Sequence, residues 1–103
     1  MISAYANDPE MRELVALFVS ELPDRVEKLW TAWHAQQAEQ VCRMAHQLRG
    51  AGSGYGFPAL SEAAAKLEND LRRISSASGG AALESVAEQF RELVDICSRA
   101  RAA

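Results

Sequence analysis

The chain has 103 residues, 11 Lys and Arg against 14 Asp and Glu, a net charge of -3 and 49% hydrophobic residues. That is enough for one compact domain over residues 1–103 and not for a second of normal size. The acidic balance leaves no overall basic surface for phosphate backbones, which argues against nucleic acid as the main partner and for proteins or small molecules. No apolar run approaches the roughly 20 residues of a membrane-spanning helix, and Met1-Ile2-Ser3-Ala4-Tyr5 has no basic stretch followed by an apolar one. A folded, cytoplasmic protein without a membrane role is the expectation.

In chain order, Asp8-Pro9-Glu10 opens a helix: Asp8 caps, Pro9 suits the first helical position, and Glu10 and Glu13 sit at the positive end of the dipole. Met11, Leu14, Val15, Phe18 and Leu22 follow at the three-and-four spacing of a one-sided helix. Pro23 interrupts the hydrogen-bond ladder before Val26, Leu29, Trp30 and Trp33 resume the period, so either a kinked helix or a short extra helix is expected there. The period lapses over His34-Ala35-Gln36-Gln37, which places a turn near Gln36, and restarts at Ala38, Val41, Ala45 and Leu48. A third helix runs from Phe57-Pro58 through Leu60, Ala63, Ala64, Leu67, Leu71 and Ile74, and Ser75 to Gly80 reads as a loop. The last helix carries Leu83, Val86, Ala87, Phe90, Val94 and Cys97 on one face. Amphipathic helices joined by short connections can bury their stripes only against one another, which predicts an all-α, antiparallel up-down four-helix bundle.

Chemistry-bearing residues are few. Cys42 and Cys97 are too sparse for a disulfide framework or a paired-cysteine zinc site, and reduced thiols packed among helices are expected. The glycine-dense stretch Gly50-Ala51-Gly52-Ser53-Gly54-Tyr55-Gly56 follows a helical pattern where a dinucleotide fingerprint needs a strand, and no phosphate-cradling loop of the GxxxxGK type is present. A self-sufficient enzyme is therefore not expected.

With roughly 100° per residue, Val41, Ala45 and Leu48 share one side of the second helix and Gly52 falls on it without adding a side chain. His46, Gly50 and Ser53 lie together on the other side, with Arg49 at the flank. Glycine inside a helix costs about 1 kcal/mol relative to alanine, and Gly50 is too early to be a cap; what it supplies is room for a partner to approach His46. An unprotonated imidazole nitrogen is a good nucleophile at cellular pH and forms a reactive phosphoramidate. Arg49, one turn on, could neutralise phosphate oxygens without blocking the attack.

The stretch from Ala45 to Phe57 resembles the signature of histidine-containing phosphotransfer (HPt) domains: a histidine (His46), then an aliphatic residue (Leu48), a basic residue (Arg49), a glycine (Gly50), a small residue (Gly52) and a further glycine ten residues on (Gly56). The similarity continues through Pro58-Ala59-Leu60 to Leu67-Glu68 and, more loosely, over Leu17 to Leu29. It implies a four-helix phosphocarrier of two-component phosphorelays with no catalytic activity of its own. In that reading His46 is phosphorylated by a receiver-domain aspartate or a sensor or hybrid histidine kinase and hands the group to a response regulator. The chain itself binds no cofactor, and Mg2+ sits on the receiver. Arg49 matches the basic position beside the phosphate, and Gly50, with Ser53 beside it, the approach of the partner. Glu68 stands where the chemotaxis kinase's domain has a glutamate that orients its histidine; its other reading is a solvated residue on the flank of its helix. Arginine replaces the commoner lysine, and Gln36-Gln37 stands where many relatives have a Gly-Asp pair.

Two other readings use the same residues. Cys42 and His46, four apart, could share a metal ion with His34 and Cys97, although the four do not converge on the helical wheels. A phosphorylation-independent docking bundle could bind a receiver or kinase by shape alone, but has no need of His46. A monomer is expected. Trp30 and Trp33 belong either to the core or to the border of a docking surface.

Overall fold

A computed structural model of the chain describes residues 1–75 and 82–101. Its helices are α1 (Arg12–His34), α2 (Ala38–Gly54), α3 (Pro58–Ser75), the single turn α4 (Ala82–Ser85) and α5 (Ala87–Arg99). The four long helices run up and down, as the short connections require. α2 packs most extensively on α3, α3 on α5, and α1 closes the bundle against α2 and α5. Among the described residues the only extended pairing is an isolated parallel bridge between Ile2 and Arg101.

The predicted stripes supply the core. Val15, Phe18, Leu22 and Leu29 of α1, Val41, Ala45 and Leu48 of α2, Leu60, Leu67 and Leu71 of α3, and Phe90 of α5 are all buried. Leu93 and Ile96 are buried as well, which widens the α5 stripe beyond the residues read from its period. Trp33 stacks on Phe90 at 4.2 Å between centroids and Trp30 meets the same ring edge-on at 5.0 Å, so both tryptophans serve the α1–α5 packing.

Several boundaries differ from expectation. α1 begins at Arg12, not Pro9, because Asp8 first closes a turn: its Oδ1 accepts from Glu10 N at 2.9 Å and its carbonyl accepts from Arg12 N at 2.9 Å. Pro23 neither ends α1 nor starts another helix; it lies on the exposed side, where one missing ladder bond is tolerated. Leu14 is 48% exposed instead of buried. Leu17 is 58% exposed as well while Val15, Phe18 and Leu22 are buried, so the inward face of α1 runs through those three and leaves Leu14 on its flank. The last helix is broken at Val86 (φ -113°, ψ 20°), whose N–H bonds back to Leu83 O at 3.1 Å; the tighter turn lets Leu83 and Val86 both reach the core. Ser75 still belongs to α3, while the remainder of the predicted loop and the side chain of Ile74 lie outside the described residues.

The helices α1 and α2 end in the same way. Gln36 takes φ 60° with Gln37 N on Ala32 O (2.9 Å) and its own N on Trp33 O (3.1 Å), which makes the predicted turn a Schellman cap. Gly56 takes φ 82° with Phe57 N on Gly52 O (2.7 Å) and closes α2 likewise. Here a residue with a Cβ would be strained twice, by its backbone and by Ser3 and Ala4, which press against the same point.

Candidate functional site

The outward side of α2 carries what its spacing predicts. His46 keeps 63% of its side chain exposed and Arg49 50%. His46, Arg49, Gly50 and Ser53 line one open depression together with Ser61 from the first turns of α3. At Gly50 a Cβ would meet nothing within 4 Å, so the missing side chain leaves free space and serves no packing contact. Gly52, two residues on and facing inward, is the opposite case: a Cβ there would stand 2.9 Å from Leu60 Cδ2 and from Ser61 N. The bare backbone at Gly52 is what allows α3 to lie close enough to reach the site. Ser61 Oγ fastens that approach by donating to Arg49 O at 2.8 Å.

Across this close contact α3 presents Glu68. The reading of Glu68 as a solvated flank residue fails, because the residue is 2% exposed. Its position beside Leu67 turns the stem into the α2–α3 seam, and its carboxylate ends among three partners. His46 Nδ1 lies 2.9 Å from Oε2, and Arg49 Nη1 donates to Oε1 at 3.3 Å. Arg72, one turn further along α3, reaches Oε2 with Nε at 3.0 Å and Nη2 at 2.9 Å. Burial acts to raise the Glu68 carboxyl, but the hydrogen bonds from Arg72, His46 and Arg49 together outweigh it and hold the group below the ordinary carboxylate range. Among the described residues no buried side-chain polar atom lacks a partner.

This arrangement has a chemical consequence. A carboxylate only accepts, so the ring nitrogen facing it carries the proton, and Nδ1–H of His46 donates to Glu68. In the neutral ring the other nitrogen, Nε2, is then unprotonated and available as a nucleophile. The two residues missed in the sequence are Ser61 and Arg72. Arg72 had a visible signal, since it stands four positions after Glu68 on a helix; Ser61 had none.

The residues of the metal reading do not gather. Cys42 Sγ lies 3.9 Å from Glu68 O, Cys97 is buried on α5, and His34 stacks on Trp30 at 5.4 Å. Among the described residues no group of three or more His, Cys, Asp and Glu side chains could hold an ion.

A family model for the Hpt domain matches residues 13–103. The chain belongs to the Hpt domain family. No curated protein and no solved structure matches it. Hpt domains act in phosphotransfer within phosphorelays, and the match covers all five helices, with only the first residue of α1 falling outside it. In this Hpt domain the arginine that replaces the commoner lysine, Arg49, spans the distance from α2 to a carboxylate on α3. The Gln36-Gln37 start leaves α2 without a side-chain cap. No helix among the described residues is long and apolar enough to cross a membrane.

Proposed function

We propose that His46 is the phosphocarrier residue of this Hpt domain, taking a phosphoryl group from a receiver aspartate or a kinase and passing it to a response-regulator aspartate. The observation that carries this reading is the 2.9 Å contact of His46 Nδ1 with a Glu68 side chain that is only 3% exposed, beside an open approach at Gly50. Glu68 holds the ring by Nδ1 and leaves Nε2 outside that contact, on a side chain that is mostly exposed.

In the forward transfer the Nε2 lone pair forms the N–P bond while the bond from phosphorus to the aspartyl oxygen breaks, and the carboxylate leaves with the electron pair. Nothing has to leave Nε2, because the ring proton is already on Nδ1. The ring gains positive charge as the bond forms, and the adjacent Glu68 carboxylate stabilises it. Arg49 faces the incoming phosphoryl oxygens from the flank. The remaining charge neutralisation, including Mg2+, falls to the receiver, and the domain contributes position and orientation.

Incubation with a purified receiver charged by acetyl phosphate tests this. Acid-labile, base-stable label on the wild type, absent in His46→Gln, is the expected result. A wild type that binds the receiver and takes no label would instead leave a docking bundle that works without phosphorylation.

A further inference from the structure

Two arginines hold one carboxylate, and the structure distinguishes them. Arg49 reaches Glu68 Oε1 by one contact at 3.3 Å and lines the same open depression as His46, Gly50 and Ser53. Arg72 reaches Oε2 by two contacts, at 3.0 and 2.9 Å, and borders a different depression with Ala38, Glu39, Cys42 and Leu71, on the other side of the histidine. A phosphoryl group on Nε2 would therefore be within the domain of Arg49 and not of Arg72. Arg49 has the longer contact to give up and the more accessible place to go.

We propose that Arg72 is a positioning residue for phosphoryl transfer: it keeps the Glu68 carboxylate on His46 Nδ1 when Arg49 leaves Oε1 for the phosphoryl oxygens. The inference rests on His46 as the phosphorylated residue. A carboxylate as buried as Glu68 cannot stay charged without a cation beside it. If Arg49 alone compensated Glu68, its departure toward the phosphate would leave the buried carboxylate to take up a proton, and the ring would lose its negative neighbour at the moment it most needs one. Arg72 removes that conflict by compensating Glu68 from the far side. The described charged and titratable groups around this pair are His46, Arg49, Cys42 and Glu39 on α2 and Arg72 on α3. The hydrogen bonds from Arg72 lead those that keep Glu68 ionised.

The test uses the whole chain and phosphoramidate, which donates its phosphoryl group without a partner protein, the P–N bond to ammonia breaking as Nε2–P forms. Wild type, Arg72→Ala, Arg72→Lys and His46→Gln are compared by labelling rate and by 15N shifts of the His46 ring over a pH series, before and after labelling. In Arg72→Ala the labelling rate is expected to fall about tenfold, and the Nδ1 proton of the phosphorylated ring is expected to be lost at lower pH than in wild type. Arg72→Lys, which keeps the charge with fewer donors, should recover most of the titration and part of the rate. An Arg72→Ala protein with a wild-type rate and an unmoved ring titration overturns the inference, as does one that loses thermal stability alone. Should Arg72→Ala not fold, Arg72→Gln takes its place, and a wild-type rate with an unmoved ring titration in that variant overturns the inference equally. A wild type that takes no label, or label that persists in His46→Gln, sinks the phosphocarrier reading itself and this inference with it.

Discussion

Glu68 links the chemistry of the site to the stability of the fold. Its carboxyl binds a proton less readily folded than unfolded, so the unfolded chain holds more protons in the window between the two pKa values, and stability rises with pH there. The contribution is complete above the unfolded value of about 4.3 and disappears as pH falls through the lower folded one. Denaturant midpoints measured from about pH 6 to about pH 3 should decline more steeply for wild type than for Glu68→Gln; parallel curves would mean the carboxylate is not held as described. Gly50 calls for a different pair of measurements. With open space around its missing Cβ, Gly50→Ala should stabilise α2 by about 0.5–1 kcal/mol, whereas Gly50→Gln should keep labelling by phosphoramidate and lose labelling by a charged receiver. Equal loss of both labels would contradict an approach role. His46, Arg49 and Gly50 were legible because they share one helix, where spacing alone assigns a face. Glu68 was reached only through the family resemblance, because its burial depends on how closely a second helix approaches, and no periodicity within α3 records that.

That approach is a property of the α2–α3 pair. The backbone at Gly52 meets Leu60 and the start of Ser61, so Gly52→Ala must push α3 outward or bend it. A loss of about 1–3 kcal/mol is expected in chemical denaturation, together with a weaker His46–Glu68 contact seen as a change in the ring's tautomer signature; a neutral substitution would show that the seam has slack. The number and order of the long helices, and the turn at Gln36, followed from apolar period and its lapses. What the period could not supply was which edge of a stripe the neighbouring helices cover. Leu14 fits the α1 stripe and is nevertheless exposed because the inward face runs through Val15, Phe18 and Leu22, and Val86 fits the last stripe while its backbone breaks that helix.

Across the whole molecule the two chain ends are drawn together beside the cap of α2. Ser3 N donates to Arg101 O at 3.3 Å, Arg101 N to Met1 O at 2.7 Å, and Ala4 N to Gly56 O at 2.8 Å, while Ser3 Oγ, in a residue only 4% exposed, donates to Tyr55 O at 2.6 Å. None of this was visible in the sequence, since residues 1–7 carry no periodic pattern and pair with backbone. Removing residues 1–7 is expected to cost about 1–2 kcal/mol in thermal or denaturant unfolding while leaving the phosphoramidate label on His46. Loss of the label at intact helix content would show that this segment shapes the site.

The end-to-end tie also sets an order of events. Glu68 meets His46 across 22 residues and Arg49 across 19, whereas the bridge between Ile2 and Arg101 closes a loop of nearly the whole chain. Closure entropy grows with loop length and non-local contacts are the slow ones. A hairpin of α2 and α3 can therefore assemble its charged cluster early, and the two ends of the chain meet last. By loop length alone, the site is expected to form before the tie between residues 2 and 101, which then acts as its fastening.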